Sequence, residues 1–277
     1  DGVFDSELLG FSHTTASGVA ALDLLRAHGF SVALHTGRSV EDVRTYCRDY
    51  ALPGGLAELG SVFVDAVAGR EIPLVEDPPT GQLARCRQAL ARLAGVCVDP
   101  SYHYSVRAYR YVEERTVPLP TQEVEEVLRR AGLDRLVVSP SSIDVIVVPR
   151  GVDKGHGLWA AKRYLGSPDQ PVVAIGDADR DVPMLAAADY AFAPAGCSAA
   201  VRALGRQGKC RVVSAPMQHG LLRVARALAR QHPAVADRPT FEAEPSAPAT
   251  DLLAALLRVA ERSRLQQCLG ALAWWRL

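Results

Sequence analysis

The sequence has no CxxC pair, and its six cysteines are scattered over 277 residues. That excludes a zinc knuckle and any recognisable disulfide framework, and leaves free thiols in a reducing cytoplasm as the expectation. Net charge is also missing. Lys plus Arg and Asp plus Glu number 31 each, so no broad basic surface invites nucleic acid. No apolar run reaches the ~18 residues of a membrane span. No basic segment leads into an apolar one at the start, so no signal peptide is expected, although a clipped start would hide one. Internal repeats are absent too. What is present is 48% apolar residues, enough for a sizeable core and a size between one and two domains.

Residues 14–28 carry Val19, Leu22 and Leu25 at helical spacing and stop at Gly29. Val32 to Leu34 then forms a short apolar strand ending at Thr36-Gly37. Ser39 can cap a helix over 40–50, with Asp42 at the reciprocal capping position. A second such unit lies late in the chain. Residues 153–166 give a helix closed by Gly166, and Val172–Ile175 a strand. A polar loop and a helix with Met184 and Leu185 follow. Strands at YAFAP and RVVSAP and a helix at HGLLRVARALAR complete an α/β pattern.

The middle of the chain differs. Residues 61–64, 104–111, 136–138 and 143–148 have strand character, and 82–93 and 121–131 helical character. Tyr104, Val106 and Ala108 alternate with Ser105, Arg107 and Tyr109, the period of a sheet with two unlike faces. Residues 57–150 therefore look like an inserted α+β domain, interrupting a core made of 1–56 and 151–232. A Pro- and Ala-rich linker is expected over 233–250, and a helical segment with an apolar face over 251–277.

Three stretches can carry chemistry. In GDADRD a strand feeds into Asp177, with Asp179 and Asp181 close behind. Strand ends in open α/β sheets face ligands, and dense carboxylates suit Mg²⁺ together with waters and phosphate. An acidic turn capped by Asp181 is the plain structural alternative. In HTGR, Thr36, the Gly37 amide and the start of the next helix can converge on an anion, or simply cap that helix. In GVDKG, Lys154 can neutralise a phosphoryl oxygen and a nearby carboxylate, or face solvent. Together they form the set that phosphoryl transfer needs: a clamp for charge and a means to hold the nucleophile in line.

In these residues the sequence resembles the haloacid dehalogenase-like (HAD) phosphatases, especially the branch with a large cap between the second and third motifs. That branch includes the sucrose-phosphate, mannosyl-phosphoglycerate, archaeal-type phosphoglycolate and Cof-type phosphatases. Thr36 is similar to the second motif and Lys154 to the third. Gly176, Asp177, Asp181, Met184 and Leu185 are similar to the fourth. The likeness runs from residue 1 to about 230. It implies a Rossmann-like core with an inserted α+β cap of the C2 type, and an aspartyl-phosphate mechanism with Mg²⁺.

The family's first motif reads Asp-x-Asp-Gly, nucleophile first and general acid–base second. Asp1 stands 35 positions before Thr36 and precedes Gly2, as the second Asp does. The nucleophile would then lie two residues upstream. Asp5 is a rival without the following Gly. The resemblance implies catalytic roles for Asp1, Thr36 and Lys154, and Mg²⁺ ligation by Asp1, Asp177 and Asp181. Candidates for substrate contact are Gly37, Arg38, His103, Arg107 and Arg180, the last a departure from the small polar residue usual at that position. Residues Glu58-Leu59-Gly60 resemble the entry to the cap and are expected to form a turn and hinge.

The leading expectation is a Mg²⁺-dependent phosphomonoesterase acting on a small phosphorylated metabolite, with sugar phosphates among the candidates. Two readings stay open beside it. One is a catalytically degenerate regulatory module within a larger, carbohydrate-linked protein carrying further domains at either terminus. The other is a phosphomutase. The residue two positions before Asp1 discriminates the first of these, and the fate of the phosphate the second.

Overall fold

The structure, a computed structural model, describes residues 2–8, 11–113, 115–166 and 169–232. Asp1, the linker expected at 233–250 and the helix expected at 251–277 lie outside the described residues. The elements follow in chain order. First come β1 (Ser6–Leu8), β2 (Phe11–His13), α1 (Ala16–Ala27), β3 (Leu34–His35), α2 (Val40–Asp49), β4 (Gly54–Ala57), β5 (Val62–Asp65) and β6 (Arg70–Pro73). Then come α3 (Thr80–Ala91), β7 (Val96–Val98), β8 (Val106–Val112), β9 (Arg115–Val117), α4 (Thr121–Arg130), β10 (Leu136–Pro140) and β11 (Val145–Pro149). Last are α5 (Lys154–Leu165), β12 (Val173–Ile175), α6 (Val182–Ala187), β13 (Tyr190–Ala195), α7 (Ala199–Arg206), β14 (Arg211–Pro216) and α8 (Met217–Gln231).

Contacts group the chain into two units. The described residues of 2–32, 173–179 and 189–232 make one. Its parallel sheet runs β12-β13-β14, and α1 packs on α8. Ser17, Gly18, Ala21, Leu22 and Leu25 are the buried side of α1, whereas Val19 is 40% exposed. The buried stripe thus follows the small residues at 18 and 21, which let α8 approach, and not Val19.

Residues 33–172 and 180–188 make the other unit. It holds two sheets, β3-β4-β5-β6 and β10-β11-β8-β7 with β9 added to β8. In the larger sheet β10 with β11, β11 with β8, β7 with β8 and β8 with β9 all pair antiparallel. Helices α3 and α4 cover one face of it. Leu83, Cys86, Leu90, Val124 and Leu128 meet Val106, Ala108, Val145 and Val147 there in one buried cluster. The alternation expected over 104–109 holds only from Val106: Val106 and Ala108 are fully buried and Arg107 and Tyr109 keep partial exposure, whereas Ser105 is fully buried and Tyr104 is not. The architecture is α/β: a Rossmann-like core with an inserted α+β region.

Strands β3, β8 and β11 each start two residues later than the residue pattern predicts, β3 at Leu34 instead of Val32. Strand β8 begins at Val106 because the preceding backbone is already engaged. Glu58 accepts from the amides of His103 and Tyr104, while Arg87 donates to the carbonyls of Tyr102, His103 and Ser105. Strand β11 begins at Val145 because Ser141 Oγ accepts from the amides of Ile143 and Asp144, folding 141–144 into a turn. Ile143 is left 50% exposed.

Candidate active site

Helix α2 is started by a reciprocal capping box: Asp42 N donates to Ser39 Oγ at 3.2 Å and Ser39 N donates to Asp42 Oδ2 at 3.3 Å. The loop before it holds Thr36. Thr36 N donates to Leu56 O at 3.0 Å, and Thr36 O accepts from Leu59 N at 3.1 Å. Thr36 Oγ1 accepts from Arg38 N at 3.2 Å, which leaves the hydroxyl hydrogen to donate elsewhere. Gly37 lies close under Leu59 and Ile146, since a Cβ there would come 3.2 Å and 3.4 Å from their side chains. The Arg38 guanidinium rests 5.8 Å above the Tyr46 ring.

Lys154 opens α5, whose N-cap Asp153 accepts from His156 N at 2.8 Å. Its ammonium donates to Asp181 Oδ1 at 2.5 Å, with side chains only 12% and 6% exposed. The expected third and fourth motifs therefore meet in a largely buried ion pair. Their backbones are equally close, because a Cβ on Gly155 would lie 2.8 Å from Pro183 O.

His35 stands beside this pair. Its two ring nitrogens are sealed from solvent and have no hydrogen-bond partner among the described residues, although the residue as a whole keeps some exposure. The ring is slotted between two glycines. A Cβ on Gly60 would come 3.2 Å from Nε2, and one on Gly157 would come 3.1 Å from Cε1. Burial above all, and then the Lys154 charge, push this imidazole well below its ordinary value, with Asp181 acting weakly against them. His35 is thus held neutral.

Asp177 lies in the other unit, following β12. Its carbonyl accepts from Ser198 N at 2.7 Å. Gly2 adopts φ +75°, and a Cβ there would fall 2.0 Å from Asp177 Oδ2. Only glycine fits, so the Gly2 turn lies directly against the Asp177 carboxylate. This turn is tied down by Gly2 N donating to Asp5 O at 2.8 Å and by Phe4 O accepting from Thr14 Oγ1 and Gln218 Nε2.

The other three candidates for substrate contact behave differently. Arg107 donates to Asp99 Oδ2 at 3.0 Å and Asp144 Oδ2 at 2.7 Å, and lies 5.0 Å from the Tyr109 ring centre. Burial works against its charge, but those carboxylates and Tyr102 outweigh it and raise the guanidinium above its ordinary value. Arg180 donates to Asp144 Oδ1 at 3.2 Å, to Pro140 O at 3.1 Å and to Ser139 O. Burial lowers it, and Asp144 opposes that. His103 edges a hollow of about 60 Å³ with Ser61, Pro73, Val75 and Tyr104. That is well under the ~300 Å³ of a small metabolite pocket.

Motif spacing does not single out Asp144 and His35, and it marks Glu58 only as part of a turn. Glu58, with Leu59 and Gly60, forms a run of left-handed residues at φ 49°, 61° and 94°. Its buried carboxylate accepts from His103 N at 3.0 Å, Tyr104 N at 2.9 Å and Ser105 Oγ at 2.7 Å. Burial raises this carboxyl above its usual range, partly offset by those hydrogen bonds. The Glu-Leu-Gly turn was visible in the sequence, but the brace it makes was not.

No group of three or more His, Cys, Asp and Glu side chains that could hold a metal ion is present among the described residues. The donor chemistry of Asp177 and Asp181, oxygen only, is of the kind a hard divalent cation takes. The third expected ligand, Asp1, precedes the Gly2 turn that lies against Asp177.

Residues 120–204 match the family model of the haloacid dehalogenase-like hydrolases. A phosphoglycolate phosphatase of Methanopyrus kandleri is 32% identical over 181 residues, 64% of this chain and 75% of that protein. A phosphoglycolate phosphatase of Aeropyrum pernix is 27% identical over 192 residues, 68% and 76% of the two chains. A Thermoplasma acidophilum crystal structure superimposes with a TM-score of 0.61 at 15% identity, covering 82% of this chain and 94% of that one. The chain belongs to the haloacid dehalogenase-like hydrolases. Members of this family typically work with Mg²⁺. No helix among the described residues is long and apolar enough to cross a membrane.

Proposed function

We propose that the full-length protein is a Mg²⁺-dependent phosphomonoesterase that hydrolyses a small phosphorylated metabolite through an aspartyl-phosphate. The observation that carries this reading is the 2.5 Å bond from Lys154 Nζ to Asp181 Oδ1, which unites the third and fourth motifs. Residues 57–150 act as the cap, over a core of 1–56 and 151–232. The phosphoglycolate phosphatases among its relatives make phosphoglycolate one substrate to test, beside sugar phosphates.

In this mechanism the carboxylate two positions before Asp1 attacks phosphorus. Asp1 protonates the leaving oxygen, then takes a proton from the water that hydrolyses the aspartyl-phosphate. Thr36 donates its hydroxyl hydrogen to a phosphoryl oxygen. Lys154 holds a second oxygen while keeping Asp181 in place. Asp1, Asp177 and Asp181 would hold Mg²⁺, which supplies countercharge for the phosphoryl oxygens. His35, kept neutral, adds no competing charge beside Lys154. In this reading the protein acts on a small diffusible substrate in the cytoplasm.

The test is phosphate release by the full-length protein from p-nitrophenyl phosphate, sugar phosphates and phosphoglycolate. Release should require Mg²⁺, stop on chelation, and be lost in Asp177→Asn. Normal turnover in that variant, or turnover indifferent to chelation, refutes the assignment.

A further inference from the structure

We propose that Arg180 is a positioning residue, tying the turn that carries Asp181 to the β10–β11 hairpin. The inference rests on the phosphomonoesterase reading for its catalytic consequence, but the tie itself is visible in the contacts. Arg180 and Asp181 share one 3-10 turn, Asp179–Asp181. On one side of that turn Lys154 holds the Asp181 carboxylate. On the other side the planar fork of Arg180 reaches the carbonyls of Ser139 and Pro140 and the carboxylate of Asp144. A lysine ammonium, a single point of charge, cannot reproduce that geometry.

The tie does not end at Asp144. That carboxylate is 4% exposed and also accepts from Arg107 Nε at 2.7 Å and Ser141 Oγ at 2.7 Å. Arg107 in turn holds Asp99, just past β7. A chain Asp99–Arg107–Asp144–Arg180 therefore runs across the inserted sheet to the residue beside Asp181. Its two arginines and two aspartates balance, and each arginine is engaged by at least two acceptors. Arg180 is thus committed to the hairpin and not to a substrate anion. Moving the hairpin away must break these bonds and release the turn that presents Asp181. This makes the position of the inserted sheet and the alignment of the Lys154–Asp181 pair one coupled event.

The test uses the full-length protein with Arg180→Gln, Arg180→Lys, Asp144→Asn and the Arg180→Gln/Asp144→Asn pair. Amide exchange of residues 139–145 should rise about ten-fold in Arg180→Gln and in Asp144→Asn, because the hairpin loses its anchor. With p-nitrophenyl phosphate, kcat should fall about ten-fold in each with KM changed less than about two-fold. The paired variant should be no worse than its more severe parent. Arg180→Lys should recover only part of kcat. A rise in KM alone in Arg180→Gln, multiplicative effects in the pair, or unchanged exchange overturns the proposal. Should the wild-type protein release no phosphate, the phosphatase reading falls, while exchange in these variants still decides whether the tie exists.

Discussion

Replacing Lys154 by Met should destabilise the fold more than a surface charge would. The pair is 2.5 Å long, with side chains 12% and 6% exposed, so the small value typical of exposed ion pairs does not apply. Without the ammonium, Asp181 keeps a buried charge with its chief partner gone, a loss of about 3–5 kcal/mol. For a chain of this size each kcal/mol moves the melting temperature by about 2–4 °C, so a fall of about 10 °C is expected. Removing both charges, in Lys154→Met/Asp181→Leu, should restore most of it, because no buried carboxylate then lacks its countercharge. The measurement is thermal unfolding followed by circular dichroism in a chelator, so that no added cation replaces the ammonium. A Lys154→Met protein melting within about 2 °C of the wild type refutes the reasoning. So does a double variant that melts as low as the single one. Phosphate release should be abolished in both.

Other expectations follow from the same packing. Gly157→Ala should cost about 1–3 kcal/mol by overpacking, since its Cβ would lie 2.7 Å from Gly60 Cα and 3.0 Å from Leu56 Cδ2. Gly81→Ala in α3, where a Cβ meets nothing within 4 Å, should instead stabilise by about 0.4–1 kcal/mol, and urea denaturation reads both shifts. Glu58→Gln should cost about 1–3 kcal/mol, because the new amide must face either the His103 N–H or the Tyr104 N–H. The folded state raises the Glu58 carboxyl, so its contribution is full below its ordinary value of 4.5 and is lost as pH rises through the folded value. The stability gap between wild type and Glu58→Gln should therefore widen on acidification, and a gap that narrows contradicts the assignment.

Local chemistry was legible in the sequence. The Ser39–Asp42 capping box, the stop at Gly166, and buried Met184 and Leu185 all follow from short-range patterns. Lys154 and Asp181 were linked through motif resemblance, and the structure brings them together. The misses concern competition for backbone groups and long-range partners. Strand β8 starts at Val106 because Glu58, 46 residues earlier than Tyr104, claims amides that the alternation assigns to a strand. In the sequence Arg107 and Arg180 read as candidates for substrate contact. Each is held by Asp144, at separations of 37 and 36 residues, which periodicity cannot report. Helical spacing groups Val19 with Leu22 and Leu25, but close approach of α8 favours the smaller Gly18 and Ala21 beside those leucines.

The left-handed run at 58–60 has a consequence for recombining such proteins. Glu58 belongs by its bonds to residues 103–105 of the inserted region, whereas Gly60 lies against Gly157 of α5. Two neighbouring residues in one turn thus answer to different parents in any chimera. A crossover placed at the start of the insert would graft a foreign turn onto one of the two surfaces. Exchangeable inserts should therefore be found only among sequences that keep an acidic residue and a glycine at this spacing, together with a glycine one turn into the helix that follows the insert.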